Sequence, residues 1–204
     1  MADRAAFWNR IAEKYAASPI SDEAAYQRKL ALTRARMTPE TEALEFGCGT
    51  GGTARLHAPH VRSYRATDFS PAMIEIAKGK GPVPDNLTFE VACFDDMPLD
   101  VDSLDMVLGL SILHLVPDPD ATIAKAFRVL RPGGYFVTST ACLGHMWPLK
   151  LLVPLGKALG RLPHLCFFSA DALRDKMRRA GFEIEEDWQP KKGAALFLIA
   201  KKPG

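Results

Sequence analysis

The sequence lacks paired cysteines, and this absence excludes several kinds of small stabilised domain. Its four cysteines are widely spaced and form no C-x-x-C pair: Cys48, Cys93, Cys142 and Cys166. Disulfide scaffolds and structural zinc sites need closer or paired spacing, so we expect four reduced thiols and no bound metal. The pair His57 and His60 has no third ligand nearby, and we interpret it as a surface pair at a helix end.

Long apolar runs and dense blocks of one charge are also absent. No stretch reaches the roughly 18 uncharged apolar residues that a membrane span requires, and the first four residues are not followed by a signal-peptide-like apolar run. The formal net charge of +2 is too small to predict nucleic-acid binding. We therefore expect a cytoplasmic protein with no integral membrane segment and no nucleic-acid partner.

Helix-like and strand-like segments alternate along the chain. Residues 5–16 and 22–36 have helical spacing, and further helices are predicted at 53–57, after Ser70-Pro71, at 121–130 and at 170–180. Seven strands are predicted, at 42–46, 61–67, 87–93, 104–110, 135–140, 182–188 and 194–200. This alternation predicts an α/β fold, Rossmann-like and doubly wound, with a mostly parallel seven-stranded sheet. Only a short loop separates the last two strands, which predicts a C-terminal antiparallel hairpin.

A glycine cluster follows the first strand, in the segment Glu45-Phe46-Gly47-Cys48-Gly49-Thr50-Gly51-Gly52. Glycines let the backbone turn sharply and approach a ligand, and the next helix presents free N–H groups at its start. Three interpretations fit the cluster. It satisfies the dinucleotide pattern G-x-G-x-x-G, it satisfies the pattern E-x-G-x-G-x-G, and it is also compatible with a tight turn that binds nothing.

Residues outside the cluster choose between the two cofactors. Asp68 ends the second strand, where a carboxylate binds both hydroxyls of a ribose, but it suits NAD and S-adenosylmethionine (SAM) equally. None of the four tyrosines is followed four residues later by a lysine, so dehydrogenase chemistry has no support. The segment Arg131-Pro132-Gly133-Gly134, interpreted as a stop and turn before the fifth strand, and the closing hairpin both favour SAM.

In their order along the chain these motifs resemble those of the class I SAM-dependent methyltransferases. The resemblance covers roughly residues 40–140 and rests on the segments 45–51, 68, 94–98, 105–114 and 130–134. Within the superfamily, the chain is most similar to the small methyltransferase domain of the ubiquinone/menaquinone biosynthesis type. The resemblance implies SAM as the cofactor and in-line transfer of its methyl group to a small, apolar or aromatic acceptor. Two alternatives stay open: a SAM-binding regulatory or assembly protein without catalysis, and an NAD-dependent oxidoreductase.

The same resemblance divides residues 1–204 into four parts of one methyltransferase domain. The parts are N-terminal helices at 1–38, a SAM-binding core at 39–141, a lid or acceptor segment at 142–168, and a C-terminal helix and hairpin at 169–204.

The resemblance implies roles around the methionine part of SAM. The loop Gly47–Gly51, which includes Cys48, Gly49 and Thr50, would pass beneath it, with Glu45 fixing the loop or the amino group. Leu110 and Ser111, just past the fourth strand, would meet that amino group through backbone carbonyls. Tyr15 would close over the cofactor from the N-terminal helix.

It also implies roles around the nucleoside. The carboxylate of Asp68 would take the ribose hydroxyls, and Phe69 and Met73 would flank the adenine. Phe94 would offer its backbone N–H or its ring to the adenine edge. The family often has Asp where this chain has Cys93, so Asp95 supplies the contact to the adenine amino group or that contact is missing.

Two histidines are candidate catalytic bases. Methyl transfer from a sulfonium requires alignment and exclusion of water, and a base is needed only if the acceptor must lose a proton. His114 follows the fourth strand and His145 follows the fifth, and an unperturbed imidazole suits base work at neutral pH. The alternative is that these histidines pack or donate hydrogen bonds beneath the cofactor.

Residues 146–168 are leucine-rich and exceed a minimal fold. Lys150, Lys157 and Arg161 would share one face of a helix, which Pro154 would interrupt. Three interpretations stay open: a lid over an apolar acceptor, an interfacial helix that contacts a membrane through 147–162, and extra core with a dimer contact. The expected partners are therefore a small-molecule acceptor and, in a homodimer, a second copy; a monomer is equally compatible.

Overall fold

A seven-stranded sheet runs through the computed structural model, which describes residues 2–145, 162–191 and 193–204. The strands are β1 Glu42–Phe46, β2 Ser63–Asp68, β3 Leu87–Val91, β4 Leu104–Leu110, β5 Leu130–Thr140, β6 Glu183–Trp188 and β7 Leu196–Lys201. Their order across the sheet is β3-β2-β1-β4-β5-β7-β6. β1 to β5 are parallel, whereas β7 runs antiparallel between β5 and β6. The predicted fold class and its closing antiparallel hairpin are confirmed.

The described helices are α1 Ala2–Ala17, α2 Glu23–Arg34, α3 Gly52–His57, α4 Pro71–Gly79, α5 Pro119–Val129 and α6 Ala170–Arg179. The start of α4 shows how the sequence sets these boundaries. Ser70 Oγ accepts a hydrogen bond from the Met73 N–H at 3.3 Å, and Pro71 occupies the first turn, where no N–H is needed. Among the described helices, none is long and apolar enough to cross a membrane.

The sheet has a hydrophobic core on both faces. In β4, the successive residues Met106 and Val107 are fully buried in two different clusters, because neighbouring strand residues point to opposite faces. One cluster includes Ile123 of α5 and Leu173 of α6, and the other includes Ala54 of α3. A strand buried on both faces is what the apolar run 104–110 predicts.

Residues 131–134 differ from the expected stop and turn. Strand β5 begins at Leu130 and includes residues 131–134. Leu104 pairs with Leu130 and Met106 pairs with Tyr135, so the register of β4 and β5 is irregular between these two pairs. The N–H of Gly133 donates to the Lys202 carbonyl at 2.8 Å, and the Lys202 N–H donates to the Gly134 carbonyl at 2.8 Å. The prediction of a turn was wrong because these ladder bonds override the local preference of Pro and Gly.

The two ends of segment 142–168 lie together above the carboxyl end of β5. The Gly144 N–H donates to the Phe168 carbonyl at 2.9 Å, and the Cys166 N–H donates to the His114 carbonyl at 2.8 Å. The returning chain is therefore fixed to the loop that follows β4. Residues 146–161 lie outside the described residues, so the three interpretations of the leucine-rich segment stay predictions.

Candidate functional site

The glycine loop after β1 requires glycine at three positions. Gly47, Gly49 and Gly51 have φ of 66°, 54° and 72°, in the left-handed region that favours glycine. A Cβ on Gly47 would lie 2.7 Å from Ile112, and a Cβ on Gly51 would lie 2.6 Å from the ring of Phe89. The loop is thus both conformationally and sterically restricted, and its backbone is pressed against the neighbouring elements.

Asp68 ends β2 with its carboxylate fixed by backbone amides. The Gly49 N–H donates to Oδ2 at 3.0 Å and the Ser70 N–H donates to Oδ1 at 2.8 Å. The residue is 8% exposed. Burial raises the pKa of this carboxyl, and the two amide hydrogen bonds oppose that rise. The carboxylate therefore has a fixed orientation beside the glycine loop and can accept hydrogen bonds from a ligand.

A first cavity, here called the cofactor cavity, brings together eight of the predicted SAM-binding residues. The ring of Tyr15 lies 3.5 Å from the position that a Cβ on Gly49 would occupy, so α1 covers the glycine loop. Sequence reasoning missed Trp8, Ile112 and Leu115; Trp8 precedes Tyr15 by seven residues and so shares its helix face. The lining residues are Trp8, Tyr15, Gly47, Gly49, Asp68, Phe69, Met73, Leu110, Ser111, Ile112 and Leu115.

A second cavity adjoins the first through Gly47, Phe69, Ile112 and Leu115, and its lining includes Cys93, Phe94 and Asp95. The ring of Phe94 stacks on Phe46 with centroids 4.4 Å apart, so this ring belongs to the core. The Asp95 carboxylate accepts a hydrogen bond from Thr122 Oγ1 at 2.9 Å.

Glu45 lies beneath the glycine loop and is 2% exposed. Its Oε2 accepts a hydrogen bond from the Tyr64 hydroxyl at 2.8 Å. Burial raises the pKa of Glu45 to about 7, the Tyr64 hydrogen bond lowers it, and the nearby Asp68 carboxylate raises it further. Burial likewise raises the pKa of the Cys48 thiol. The Cys48 thiol is therefore protonated at neutral pH.

Ser111 connects the end of β4 to the end of β5. It adopts φ 59°, unusual for a residue with a side chain, and its N–H donates to the Ser139 carbonyl at 2.6 Å. Its N–H is thereby occupied, in keeping with the expectation that this position meets a ligand through its carbonyl.

A third and much larger cavity, of about 840 Å³, lies between α2, the glycine loop and the β6–β7 loop. We call it the acceptor cavity. It shares Tyr15, Gly47, Leu110 and Ser111 with the cofactor cavity. It also contains Glu45, Cys48 and Thr50, so Gly51 is the one residue of the predicted cofactor set that lines none of these three cavities.

The histidines are placed differently from one another. His114 is half-buried in the loop after β4, lines none of the three cavities, and has a pKa lowered by burial. The side chain of His145 lies outside the described residues. His57 is 1% exposed, and burial together with Arg34 and His60 lowers its pKa to about 3. The expectation of a surface pair was therefore wrong for His57, which stacks near Tyr64.

The described residues contain no group of three His, Cys, Asp or Glu side chains that could hold a metal. Within the described residues, none of the four cysteines is part of a disulfide.

Comparison with known proteins supports a family assignment. Residues 44–138 match the family model of a methyltransferase domain. A probable S-adenosylmethionine-dependent methyltransferase of Mycolicibacterium smegmatis is 29% identical over 164 residues, which are 80% of this chain and 60% of that protein. A phthiotriol/phenolphthiotriol dimycocerosates methyltransferase of Mycobacterium tuberculosis is 36% identical over 97 residues, 47% of this chain and 36% of that protein.

Among solved structures, an S-adenosylmethionine-dependent methyltransferase from Mesorhizobium loti matches with a TM-score of 0.72 and 24% identity, covering 88% of this chain and 99% of that one. The family model and the relatives support a SAM-dependent methyltransferase domain in residues 44–138, and the solved structure shows that the chain shares its fold. It spans 60% of the length of the first relative and 36% of the second, so their reactions and acceptors do not transfer to it directly.

Proposed function

We propose that the protein transfers the methyl group of SAM to a small, apolar or aromatic acceptor. The match of residues 44–138 to a methyltransferase domain carries this proposal, and the arrangement of Asp68 supports binding of the nucleoside. The Asp68 carboxylate is fixed by the Gly49 and Ser70 amides and lines a cavity that Tyr15 covers. A carboxylate held in this way accepts hydrogen bonds from both hydroxyls of a ribose.

The residues present fit the rest of SAM. The glycine loop lets the methionine part lie against backbone, and the carbonyls of Leu110 and Ser111 accept from its amino group. Phe69 and Met73 would flank the adenine, and the backbone of Phe94 would meet its edge. When bound, SAM supplies an electrophilic methyl group on a sulfonium.

The reaction is a displacement at that methyl carbon. The acceptor atom forms the new bond to carbon, the sulfur–carbon bond breaks, and its electron pair stays on sulfur in S-adenosylhomocysteine. The protein aligns the three atoms and excludes water; α1 covers the glycine loop, and the described ends of segment 142–168 are fixed near the ends of β4 and β5.

An acceptor that must lose a proton needs a base, and His114 stays the candidate that the sequence suggests, although it lines none of the three cavities. Burial lowers its pKa, so the imidazole is neutral at pH 7 and able to accept a proton. In the part of the chain that the structure describes, its Nδ1 is buried without a hydrogen-bond partner. The second candidate base is His145. His114→Ala with unchanged turnover on an identified acceptor would remove the assignment while leaving the enzyme.

Calorimetric titration with SAM tests the core of the proposal. Wild-type protein is expected to bind SAM more tightly than NADH, and Gly49→Asp is expected to abolish SAM binding because a carboxylate then enters the cavity at a strained φ. Gly52→Ala is the matched control, because a Cβ on Gly52 meets nothing within 4 Å. No heat at near-millimolar SAM with a folded sample contradicts the proposal, and tighter NADH binding favours an oxidoreductase.

A second measurement separates an enzyme from a regulatory SAM-binding protein. Protein and SAM are added to a cell extract, and mass spectrometry follows metabolites that gain one methyl group. Binding of SAM without any such product supports the non-catalytic alternative.

A further inference from the structure

We propose that the acceptor carries a negatively charged oxygen, and that Lys29 binds this group in the acceptor cavity. The inference rests on the proposed methyl transfer and narrows its substrate class to small organic anions, carboxylates or acidic phenols. Lys29 is then a specificity-determining residue.

Lys29 is a half-buried cation whose charge has no carboxylate partner. Its Nζ donates to Ser139 Oγ at 2.9 Å, which is its one hydrogen bond within the described ranges, and no ion pair found there includes it. An ammonium has three N–H donors, so two are left for a ligand. Burial lowers the pKa of Lys29, which shows that the surroundings penalise the unpaired charge.

Two hydrogen bonds connect the Lys29 ammonium, through Ser139, to Ser111 at the cofactor cavity. Ser139 accepts from Lys29 through its side chain and from the Ser111 N–H through its carbonyl. Ser111 lines both the cofactor cavity and the acceptor cavity. A group bound by Lys29 therefore lies next to the junction where an acceptor meets the methyl group.

Among the described residues, neither acid of the acceptor cavity, Asp22 or Glu45, forms an ion pair with Lys29 or Lys80. The Asp22 carboxylate, which raises the pKa of Lys29 at a distance, caps α2 by accepting from the Ala25 N–H at 2.9 Å. Glu45 is bonded to Tyr64, and its raised pKa leaves it partly protonated at neutral pH.

Lys80 adds a second cation, and its Nζ donates to Thr50 Oγ1 at 2.7 Å. An anionic acceptor in this cavity would be attracted by both ammonium groups and by the cationic sulfonium.

The proposal is tested by separating possible acceptors according to charge, by anion-exchange chromatography, and measuring which of them the protein methylates. A small-molecule extract of cells that produce the protein is separated at pH 8 into retained, anionic compounds and unretained compounds. Each fraction is incubated with protein and methyl-labelled SAM, and label in new products is counted. Lys29→Met removes the charge at similar length, and Lys78→Met, on the exposed side of α4, is the control for charge.

Wild-type protein and the Lys78→Met variant are expected to label the retained fraction, and Lys29→Met is expected to lose at least about tenfold of that labelling, the loss for one hydrogen bond to a charged group. Labelling confined to the unretained fraction, labelling of neither fraction, or full activity of Lys29→Met overturns the proposal.

SAM affinity, measured on the same samples, keeps the two proposals distinguishable. Unchanged SAM affinity in Lys29→Met places the defect on the acceptor. Failure of wild-type protein to bind SAM overturns the proposed function itself.

Discussion

The two cavities that meet at Ser111 are built in different ways. The cofactor cavity is lined by two left-handed glycines, Gly47 and Gly49, and by a carboxylate that the amides of Gly49 and Ser70 hold, together with apolar and aromatic side chains. The acceptor cavity is walled by long side chains on helices and loops, such as Lys29 of α2 and Lys80 after α4. The backbone part of the cofactor cavity is fixed by the fold and does not vary with side-chain identity, whereas the side-chain wall of the acceptor cavity is free to change with the acceptor. Substitutions in the cofactor cavity should therefore damage folding and SAM binding. Substitutions in the acceptor cavity should change which acceptor is selected.

Gly51→Ala is expected to give the largest effect, a loss of about 4 kcal/mol in the free energy of unfolding. Alanine would be forced into φ 72° with its Cβ 2.6 Å from the ring of Phe89 and 2.9 Å from Ala77 Cβ, and left-handed strain and overpacking each cost about 1–3 kcal/mol. Urea denaturation measures the loss.

Gly52→Ala, one residue later at the start of α3, is the control for this prediction. Its Cβ has open space, so its stability should change by less than about 1 kcal/mol. Equal stability of the two variants would show that the loop is not sterically fixed.

Asp68→Asn is expected to weaken SAM binding by about 10- to 100-fold while the protein stays folded, because a hydrogen bond to a charged group contributes about 1.5–3 kcal/mol. The amide keeps one oxygen, so one of the two backbone donors loses its acceptor, and the charge that the ribose hydroxyls favour is lost. Calorimetry gives the affinity, and the exposed Asp85→Asn in the loop before β3 controls for net charge. Unchanged SAM affinity would show that the ribose does not bind at Asp68.

Glu45 should make the stability of the SAM-free protein depend on pH. The folded protein keeps the proton up to about pH 7, whereas an unperturbed Glu releases it near 4.5. The folded state thus binds more protons within this window, so stability is full below about 4.5 and falls as the pH rises through 7. Glu45→Gln cannot titrate and still accepts from Tyr64. Relative to this variant, wild-type protein should lose on the order of 2 kcal/mol between pH 5 and pH 8.

Urea denaturation at the two pH values measures this difference, and the exposed Glu75→Gln of α4 serves as control. A wild-type protein that gains stability over Glu45→Gln as the pH rises would mean that Glu45 is stabilised in its charged form.

Much of the cofactor side could be predicted from the sequence, because its determinants are local. Gly47, Gly49 and Gly51 are needed for backbone angles, and Asp68 is placed by the end of a strand that its own alternation predicts. The acceptor side could not be predicted in this way. Lys29 and Ser139 are 110 residues apart in the chain, and their contact depends on how α2 lies on the sheet.

Two errors have the same physical origin. His57 ends a short helix and was expected at the surface, but α3 packs this end against Tyr64. The segment 131–134 has the composition of a turn, yet ladder bonds to Lys202 keep it in β5. In each case tertiary contacts override a local signal that was read correctly.

The smallest predicted effect concerns what holds α2, and with it Lys29, in place. The guanidinium of Arg28 lies 4.4 Å from the ring centroid of Trp188 in β6, and Arg36 forms an ion pair with Glu186 at 2.9 Å. These side-chain contacts join α2 and the residues just after it to the hairpin. A double-mutant cycle with Arg28→Met and Trp188→Leu should give a coupling of about 0.5–1 kcal/mol, the range for an exposed cation–π contact. Arg178→Met, on α6, should show no coupling with Trp188→Leu.

The Trp188→Leu variant also tests whether the contacts that hold α2 in place affect acceptor binding. If α2 is the movable wall, Trp188→Leu should weaken acceptor binding by a few-fold, in keeping with a contact of under about 1 kcal/mol, and leave SAM affinity unchanged. A parallel loss of SAM affinity would show that the cofactor cavity and the acceptor cavity are mechanically one site.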